Sequence, residues 1–372
     1  MTKHKNKKNK TIAFFLIFLI FLNCIVQTSC SKQDFSNGSL KIFFCGQYLA
    51  DSNSGSVDVI KEFEKQHKIK ISAYSTFDSN EQLFAKLKYS KIDYDIILPS
   101  DYMVSKLIKE NMLQKIDKNK LKTYSKINDY FKGSNCGFDP TDEFSVPYSW
   151  GTIGLIYNVH LVEKLTGQKA ENVVNGFNCL FDEKLKNEIL MFSNSKDSFA
   201  VAQKALGHSI NTTNASEIEA AAKLLKKQKK LVQLYGIDEI ADKMINNEAA
   251  VAPASSDDGF CMMKENKNLK FFLPDKSILF VDAMCIPKNA KNTENALKFI
   301  DFMCLNKIAA LNCNFSSLST TIDSALDCIN EEIKNSEVIY PAYSKIENCE
   351  TQNFSNYETE QKIAKLWEQI KI

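Results

Sequence analysis

The apolar run VPYSWGTIGLIYN at residues 146–158 is the most distinctive hydrophobic pattern in the chain. It is too short to span a membrane, and Pro147 suits the first residues of a strand because proline cannot donate a hydrogen bond to a neighbouring strand. Gly151 and Gly154 permit a close approach of the backbone to its neighbours. We therefore predict a strand here that enters a new sheet.

Short β-rich segments alternate with amphipathic helical segments on both sides of this strand, which is typical of α/β folds. About 340 residues follow residue 29, more than one hydrophobic core usually serves. We predict two α/β lobes joined by the crossing strand, and a single large domain is the alternative that the pattern leaves open. The predicted strands lie at 40–44, 69–74, 95–99, 249–253 and 281–286. The predicted helices lie at 215–231, 237–246, 295–304 and 357–370. Two further helices are predicted, one that buries Val57, Ile60 and Phe63 and one that buries Leu83, Phe84 and Leu87.

The N-terminal segment has the layout of a secretory signal peptide. Five lysines fall within residues 1–10, an apolar run follows, and small residues precede Cys30. This order of basic region, apolar core and cleavage site is typical of export signals. We predict that residues 1–29 are removed on export and that Cys30 becomes the lipid-bearing first residue of a lipoprotein, with residues 30–39 as a tether. Lipidation of Cys24, or cleavage without a lipid, are the alternatives.

Charge and cysteine content argue against two other classes of protein. Removing the five lysines of residues 1–29 from the 47 basic residues leaves 42 against 45 acidic ones, a net charge of about −3. Such a chain has no basic field for nucleic acid. Nine cysteines remain beside Cys24 and Cys30, with no CxxC motif, so we predict that most are buried small hydrophobic residues, and one or two disulfides stay open. The histidines lack metal-ligand spacing, so we expect no metal site.

The motifs of common enzyme classes are absent from the sequence. It contains no Walker A loop, no GxSxG, no HExxH and no dinucleotide-binding GxGxxG motif. We therefore expect neither catalysis nor a cofactor.

Several segments occur in an order that resembles a known family. They are FFCGQYL (43–49), FDSNEQLFAKL (77–87), YDIILPSDYMV (94–104), VPYSWGTIGLIYN (146–158) and FVDAMCIPKNAKNTENALKFIDFM (280–303). Over nearly its whole mature length, the chain resembles the bacterial periplasmic spermidine/putrescine-binding proteins of polyamine ABC transporters. The resemblance implies a type II periplasmic binding protein, with two α/β lobes, a ligand cleft between them and two crossing connections, the second near 281–286.

The resemblance also implies lobe limits, partners and a location. Lobe 1 is expected at 40–147 and 283–327, and lobe 2 at 148–282 and 328–372. The expected partners are a polyamine or other small cationic solute, an ABC permease and its ATPase. The protein is expected to be a monomer in the periplasm, anchored by its lipid to a bacterial membrane, with the choice between inner and outer membrane left open.

A polyamine site has demanding chemistry, because the ligand is an aliphatic chain that carries several ammonium groups. Each one needs a carboxylate, since an unpaired charge in a closed cleft costs on the order of several kcal/mol. Aromatic faces pack the methylene groups and attract each ammonium by roughly 0.5–2 kcal/mol. The resemblance places Asp282 on the return crossing, and this is the residue that we expect to matter most. The other positions at which the family's ligand contacts are retained are Tyr48, Ser100, Tyr102 and Gln352.

Other positions differ from the family's pattern. Phe280 stands in place of a tryptophan and keeps an aromatic face with a weaker quadrupole. The two carboxylates of the second lobe are matched by Asn194 and Asp197, so one has become an amide. In the first loop, Cys45 replaces a tryptophan and Gln47 replaces a glutamate. The site thus loses about two negative charges, and amides cannot replace the charge-assisted bonds of carboxylates.

Three aspartates near the predicted cleft could restore the lost charge, while Ser255 replaces a further tryptophan. Asp101 stands where the family has an uncharged residue, and Asp257 and Asp258 follow a predicted strand at the edge of the cleft. The alternative for Asp101, as for Ser100, is capping of the helix that follows. For Asp257 and Asp258 the alternative is a solvated loop with a helix N-cap.

Three functions stay open on these grounds. The first is a lipid-anchored receptor that binds spermidine or putrescine in the cleft and delivers it to the permease. The second is the same fold with a different small solute, and the third is a surface lipoprotein used for adhesion. A small ligand raises the melting temperature of a protein that binds it, whereas the adhesion function predicts no such rise.

Overall fold

The computed structural model describes residues 35–46, 48–52, 55–89 and 92–371. The predicted signal peptide, both candidate lipidation sites (Cys24 and Cys30) and the predicted site residue Gln47 lie outside the described residues. Residues from Asn37 onward form one compact unit. Within the described part of the chain, no helix is both long enough and apolar enough to cross a membrane.

A mixed sheet runs through this part of the chain. In the described residues its ten strands are β1 (Ser39–Cys45), β2 (Lys70–Phe77), β3 (Ile96–Ile97), β4 (Ser145–Asn158), β5 (Ile189–Phe192), β6 (Val232–Gly236), β7 (Val251–Ser255), β8 (Leu269–Phe272), β9 (Ile278–Cys285) and β10 (Ser319–Thr320). Their order is β2-β1-β3-β9-β4-β7-β5-β6, and β8 and β10 each pair with β4. The strand predicted at 146–158 is confirmed as β4.

The long strand β4 links the two halves of the sheet. Its residues Ser145–Ile153 pair antiparallel with β9, and its residues Ile153–Tyr157 pair antiparallel with β7. The prediction that this strand enters a new sheet is therefore wrong: β4 has fourteen residues, enough to form hydrogen bonds in both halves, so the halves share one sheet. Strand β9 is the return crossing near 281–286 that the resemblance implied.

Helices cover both faces of the sheet. They are α1 (Val59–His67), α2 (Asn80–Tyr89), α3 (Asp101–Lys109), α4 (Val159–Thr166), α5 (Ala170–Val173), α6 (Ser195–Ala205), α7 (Ala215–Gln228), α8 (Asp238–Ile245), α9 (Ser256–Glu265), α10 (Thr293–Met303), α11 (Asn306–Ser316), α12 (Glu331–Lys334), α13 (Tyr343–Ile346) and α14 (Tyr357–Lys371). Short 3₁₀ turns lie at Lys118–Lys120, Tyr124–Lys126, Asp129–Phe131, Gly133–Asn135, Phe177–Phe181, Glu183–Leu185 and Asp323–Cys328.

Polar side chains define where several helices begin, because they accept hydrogen bonds from backbone N–H groups that have no partner in the helix. Asp58 accepts from the Lys61 N–H at the start of α1. The helix therefore begins after Val57, which we predicted on its buried face and which is 47% exposed. Phe63 is buried as predicted.

Side chains of β1 alternate between two hydrophobic clusters on opposite faces of the sheet. Ile42 and Phe44 pack with α1, α10 and α11 on one face. Phe43 packs with α2 and α3 on the other. A separate cluster in the other half of the sheet joins β5, α6 and α7 to Trp367 of α14.

The exact lobe limits stay a prediction. Ile329, Ile333 and Ile339 pack in the cluster that contains Ile42, although we placed residues 328–372 in lobe 2. This packing favours a later limit for the second part of that lobe.

The nine cysteines of the described residues are all free thiols, and five of them are buried. These residues form none of the disulfides that the sequence left open, and the buried thiols pack as small hydrophobic groups. In the same part of the chain, no group of three or more His, Cys, Asp or Glu side chains is arranged to hold a metal ion.

Candidate ligand-binding cleft

A cleft of about 660 Å³ lies where loops and helix starts from both halves of the sheet meet. One wall comes from the segment before α2 and from the turn between β3 and α3, and the facing wall comes from the start of α6. In open α/β sheets such ligand sites form beyond the carboxyl ends of strands. The predicted site residues that line this cleft are Ser100, Asp101, Tyr102, Asn194, Asp197, Phe280 and Gln352.

Strand β9 forms the aromatic floor of the cleft. Ile278 and Phe280 both line it, because residues two apart in a strand point to the same face. Gly151 of β4 lies opposite Phe280 in the register. A Cβ atom at this glycine would lie 2.4 Å from Cζ of the Phe280 ring, so glycine is needed for the ring to cross the neighbouring strand. This is the close approach that the sequence predicted for Gly151.

Asp282 lies next to the cleft and is only 2% exposed. Its Oδ2 accepts hydrogen bonds from the hydroxyls of Tyr48 at 2.7 Å and Ser149 at 3.5 Å. The Ser100 hydroxyl also forms a hydrogen bond with this carboxylate. Burial raises the pKa of Asp282 to about 6, and the three hydroxyls oppose that rise. Among Asp282 and the three residues whose hydroxyls bond to it, Ser100 lines the cleft itself.

Asp101 is the first residue of α3, directly after the N-cap residue Ser100. Its Oδ1 accepts from the Tyr102 N–H at 2.7 Å within the first turn of α3. Its Oδ2 accepts from the backbone N–H of Gln352 at 3.1 Å, so the carboxylate also holds the segment before α14. Burial raises the pKa of Asp101 to about 8. It also lines the cleft, although it is only 2% exposed, and its part in ligand binding stays a prediction.

The start of α6 presents one carboxylate and one amide as a unit. Asn194 caps the helix, with its Oδ1 accepting from the Asp197 N–H at 2.8 Å. Its Nδ2 donates to Asp197 Oδ2 at 2.8 Å, and the Gln352 side chain also forms a hydrogen bond with Asp197. Burial raises the pKa of Asp197. The amide at position 194 thus orients the remaining carboxylate.

Two charged residues that we did not predict complete this end of the cleft. Glu81, in the first turn of α2, accepts a hydrogen bond from the Tyr102 hydroxyl at 2.5 Å. Lys196, in the first turn of α6, holds its Nζ 4.0 Å from the centre of the Tyr102 ring. Trp367, predicted as a packing anchor, is buried and also lines the cleft. Glu81 stands within the segment FDSNEQLFAKL, which carried the resemblance, and its place at the start of a helix was the available signal.

Ser255, Asp257 and Asp258 lie outside the lining of this cleft. Ser255 ends β7 and caps α9, donating to Asp258 Oδ2 at 2.9 Å and accepting from the Asp258 N–H at 3.4 Å. Asp257 Oδ1 is buried without a hydrogen-bond partner in the described residues. Burial, and after it the neighbouring Asp258, raise the pKa of Asp257 to about 7. Burial, and after it the charge of Asp282, raise the pKa of Cys45, the last residue of β1, to about 11, and Asp257 makes a smaller contribution.

Comparison with known proteins agrees with this architecture. The family described as bacterial extracellular solute-binding protein matches residues 58–340. The spermidine/putrescine-binding periplasmic protein of Escherichia coli is 32% identical over 297 residues, which cover 79% of this chain and 82% of that protein. The putrescine-binding periplasmic protein SpuD of Pseudomonas aeruginosa is 30% identical over 351 residues, covering 91% and 93%.

Solved structures give the same result. The spermidine/putrescine substrate-binding protein PotD of Streptococcus pneumoniae superposes with a TM-score of 0.76 at 29% identity, over 90% of this chain and 99% of that one. A spermidine/putrescine ABC transporter protein of Listeria monocytogenes superposes with a TM-score of 0.78 at 32% identity, over the same shares of the two chains. The fold and the cleft thus define a type II periplasmic binding protein with two α/β lobes. The chain belongs to the family of bacterial extracellular solute-binding proteins.

Proposed function

We propose that this protein is the solute receptor of an ABC importer and that it binds a polyamine, spermidine or putrescine, in the cleft. The observation that carries the proposal is the meeting of carboxylates and aromatic faces in one cavity. Glu81, Asp101 and Asp197 supply acid groups, while Tyr102 and Phe280 supply aromatic faces. The relatives named for spermidine and putrescine match most of the chain.

The size and charge of the cleft suit a flexible cationic chain. A volume of about 660 Å³ is within the range of small-molecule pockets, roughly 300–1,000 Å³. Burial holds the pKa values of Asp101 and Asp282 well above that of a free carboxyl, because it disfavours the charged form of each acid. A ligand ammonium favours the ionised form of each neighbouring acid. Binding of the ligand therefore releases protons from these acids, and the ammonium groups of the ligand pair with the carboxylates that result.

Both halves of the chain would hold the ligand. Tyr102 and Glu81 come from the half that contains β1, and Asp197 comes from the half that contains β5. A solute that contacts all three joins the two walls of the cleft, and a closed cleft presents a different surface from an open one. That surface is what a permease, with its ATPase, would recognise. This function requires no chemistry on the solute, so we propose a receptor with no enzyme activity and no cofactor.

The location follows from the leader. We propose that Cys30 carries a lipid that holds a monomeric receptor to a bacterial membrane from the periplasmic side. The basic region, the apolar core and the small residues before Cys30 support this proposal. Metabolic labelling with a fatty acid should mark the wild-type chain and not Cys30→Ser. If Cys30→Ser keeps the label, Cys24 is the modified residue.

A second candidate is the same receptor with another small solute. Two observations favour it: Ser255 is used in capping and offers no aromatic face, and Cys45 offers none in the first loop. This candidate predicts that solutes with fewer ammonium groups compete with the polyamines.

Isothermal titration of the chain from residue 31 onward tests the proposal, since this chain contains the whole compact unit from Asn37. Putrescine, spermidine and spermine are titrated at low and physiological salt. We expect micromolar or tighter binding that Asp282→Asn weakens at least tenfold, about 1.4 kcal/mol. Asp242→Asn, on the exposed face of α8, is the matched control. No heat and no thermal stabilisation with any of the three solutes would contradict a polyamine receptor.

A further inference from the structure

We infer that Lys196 acts as a tethered ammonium group that already occupies one cation position of the cleft, and that it makes the site select diamines over triamines. The inference rests on the proposed function and names the ligand class within it. No motif pointed to Lys196, because a lysine in the first turn of a helix usually lies in solvent.

The position of Lys196 is unusual for a surface lysine. Its side chain is 21% exposed and lines the cleft. The Nζ atom lies 4.0 Å from the centre of the Tyr102 ring, and Glu360 Oε1 of α14 lies 3.7 Å away. An ammonium over an aromatic face and beside a carboxylate is the arrangement that a bound polyamine would need. The protein thus supplies this arrangement from its own chain.

The charge of Lys196 acts on the acids of the cleft. It lowers the pKa values of Asp101 and Asp197, against the effect of burial on both. Glu81 acts on Asp197 in the opposite direction. Lys196 therefore stands among these acids as a positive charge that a ligand does not have to bring.

The other end of the site has no such cation among the groups that set the pKa of Asp282. These are burial and the hydroxyls of Tyr48, Ser100 and Ser149, all of them uncharged partners from described residues. We therefore assign one ligand ammonium to Asp282, which Ser100 connects to the cleft. A second ligand ammonium has Asp101 and Glu81 within the cleft. A third would have Asp197 as its acid, but Lys196 already acts on that carboxylate with its own positive charge, which repels the third ammonium.

Selectivity for the shorter ligand follows from this charge count. A diamine pairs one ammonium group with the acids at each end of the cleft, and Lys196 stays over the ring of Tyr102. A triamine must either displace Lys196 or hold one ammonium beside it, and both weaken its binding relative to that of the diamine.

The experiment compares the dissociation constants of putrescine and spermidine for the chain from residue 31 onward. Selectivity is the Kd for spermidine divided by the Kd for putrescine. We expect this ratio to exceed one in the wild type and to fall by roughly tenfold in Lys196→Met, which keeps the aliphatic stem and removes the charge. Lys196→Arg, which keeps the charge, should retain the wild-type ratio. Lys223→Met removes an exposed lysine of α7 and should also leave it unchanged.

A second variant tests the opposite direction. Glu360→Gln removes the acid partner of Lys196, so that its charge repels a third ammonium more strongly and the ratio should rise. Equal ratios in the wild type, Lys196→Met and Glu360→Gln, with both polyamines bound, would overturn the inference and leave the proposed receptor function intact. If no variant binds either polyamine, the receptor function fails, and the inference fails with it.

Discussion

The hydroxyl of Tyr48 donates a 2.7 Å hydrogen bond to the carboxylate of Asp282, although the two residues lie 234 positions apart in the chain. The loop after β1 and the return strand β9 thus meet at one buried acid. The hydroxyl opposes the effect of burial on the pKa of Asp282. Tyr48 therefore favours the ionised form of this acid, which is the form that the proposed ligand ammonium would pair with.

Removing the hydroxyl should weaken both the fold and the site. In Tyr48→Phe, the buried carboxylate loses one donor, which costs about 1–3 kcal/mol of the free energy of unfolding. The pKa of Asp282 should rise further, so polyamine affinity should fall most at mildly acidic pH. Urea denaturation and titration calorimetry measure the two effects. Tyr89→Phe, at a side chain that is 77% exposed, is the control, and equal stability in both variants would contradict the prediction.

Polyamine affinity should rise with pH. Without ligand, the pKa is about 6 for Asp282 and about 8 for Asp101, because burial disfavours their charged forms. Ligand ammonium groups favour the ionised acids, so binding below these pKa values releases protons. Affinity should therefore increase from pH 5.5 to pH 8.5. Calorimetry in buffers with different ionisation heats counts the released protons, and a constant affinity with no proton release would refute this linkage.

The stability of the ligand-free protein should show the opposite trend at Asp257. Its pKa is raised in the fold, so the folded state binds its proton more tightly than the unfolded state does. The stability that this provides is complete below the pKa of the unfolded chain, near 4, and is lost as the pH rises through the folded value of about 7.

Asp257→Asn should therefore raise the unfolding free energy at pH 8 by up to about 4 kcal/mol and change it little at pH 4. Thermal melts across this range, with Asp242→Asn as the control, measure the difference. A gain that is the same at both ends of the range would mean that the effect does not come from ionisation.

Gly151→Ala should disturb the aromatic floor. The new methyl group would lie 2.4 Å from Cζ of Phe280, so that ring has to move. Such overpacking costs about 1–3 kcal/mol of stability, and the displaced ring should also reduce polyamine affinity. Gly176→Ala is the control, because a Cβ atom there meets no neighbour within 4 Å. Melting temperatures and titrations of the two variants decide the matter, and equal behaviour would show that Phe280 is free to adapt.

Local patterns were sufficient to predict much of the fold. The run 146–158 has the composition of a buried strand over its full length, and β4 covers it. This strand forms hydrogen bonds in both halves of one sheet because of the strands that pair with it. A local sequence pattern does not indicate which strands those are. Val57 shows a smaller limit of the same kind, since Asp58 caps α1 and the helix begins at Val59, two residues later than the spacing suggested.

The resemblance predicted only part of the cleft, and it missed Glu81 although this residue lies in one of the matching segments. The resemblance identified Tyr102, Asp197 and Phe280, which the structure brings to one cavity. Glu81 and Lys196 come from first turns in opposite halves, where charged residues are common on exposed surfaces. Only the tertiary structure places both beside Tyr102.

The pairing of β4 with β9 is irregular between Pro147 and Ser149, directly before Ser149 pairs with Asp282. The intervening Tyr148 donates its hydroxyl to the backbone carbonyl of Tyr48 at 3.2 Å. A bulge of this kind increases local twist and interrupts the ladder, so it is where a two-stranded connection bends most easily. Ser149, the first residue after this irregularity, also donates its hydroxyl to Asp282, so the irregular part of β4 and the proposed cation site share one residue. A ligand ammonium bound at Asp282 would therefore lie beside the point at which the longest strand of the sheet departs from regular pairing.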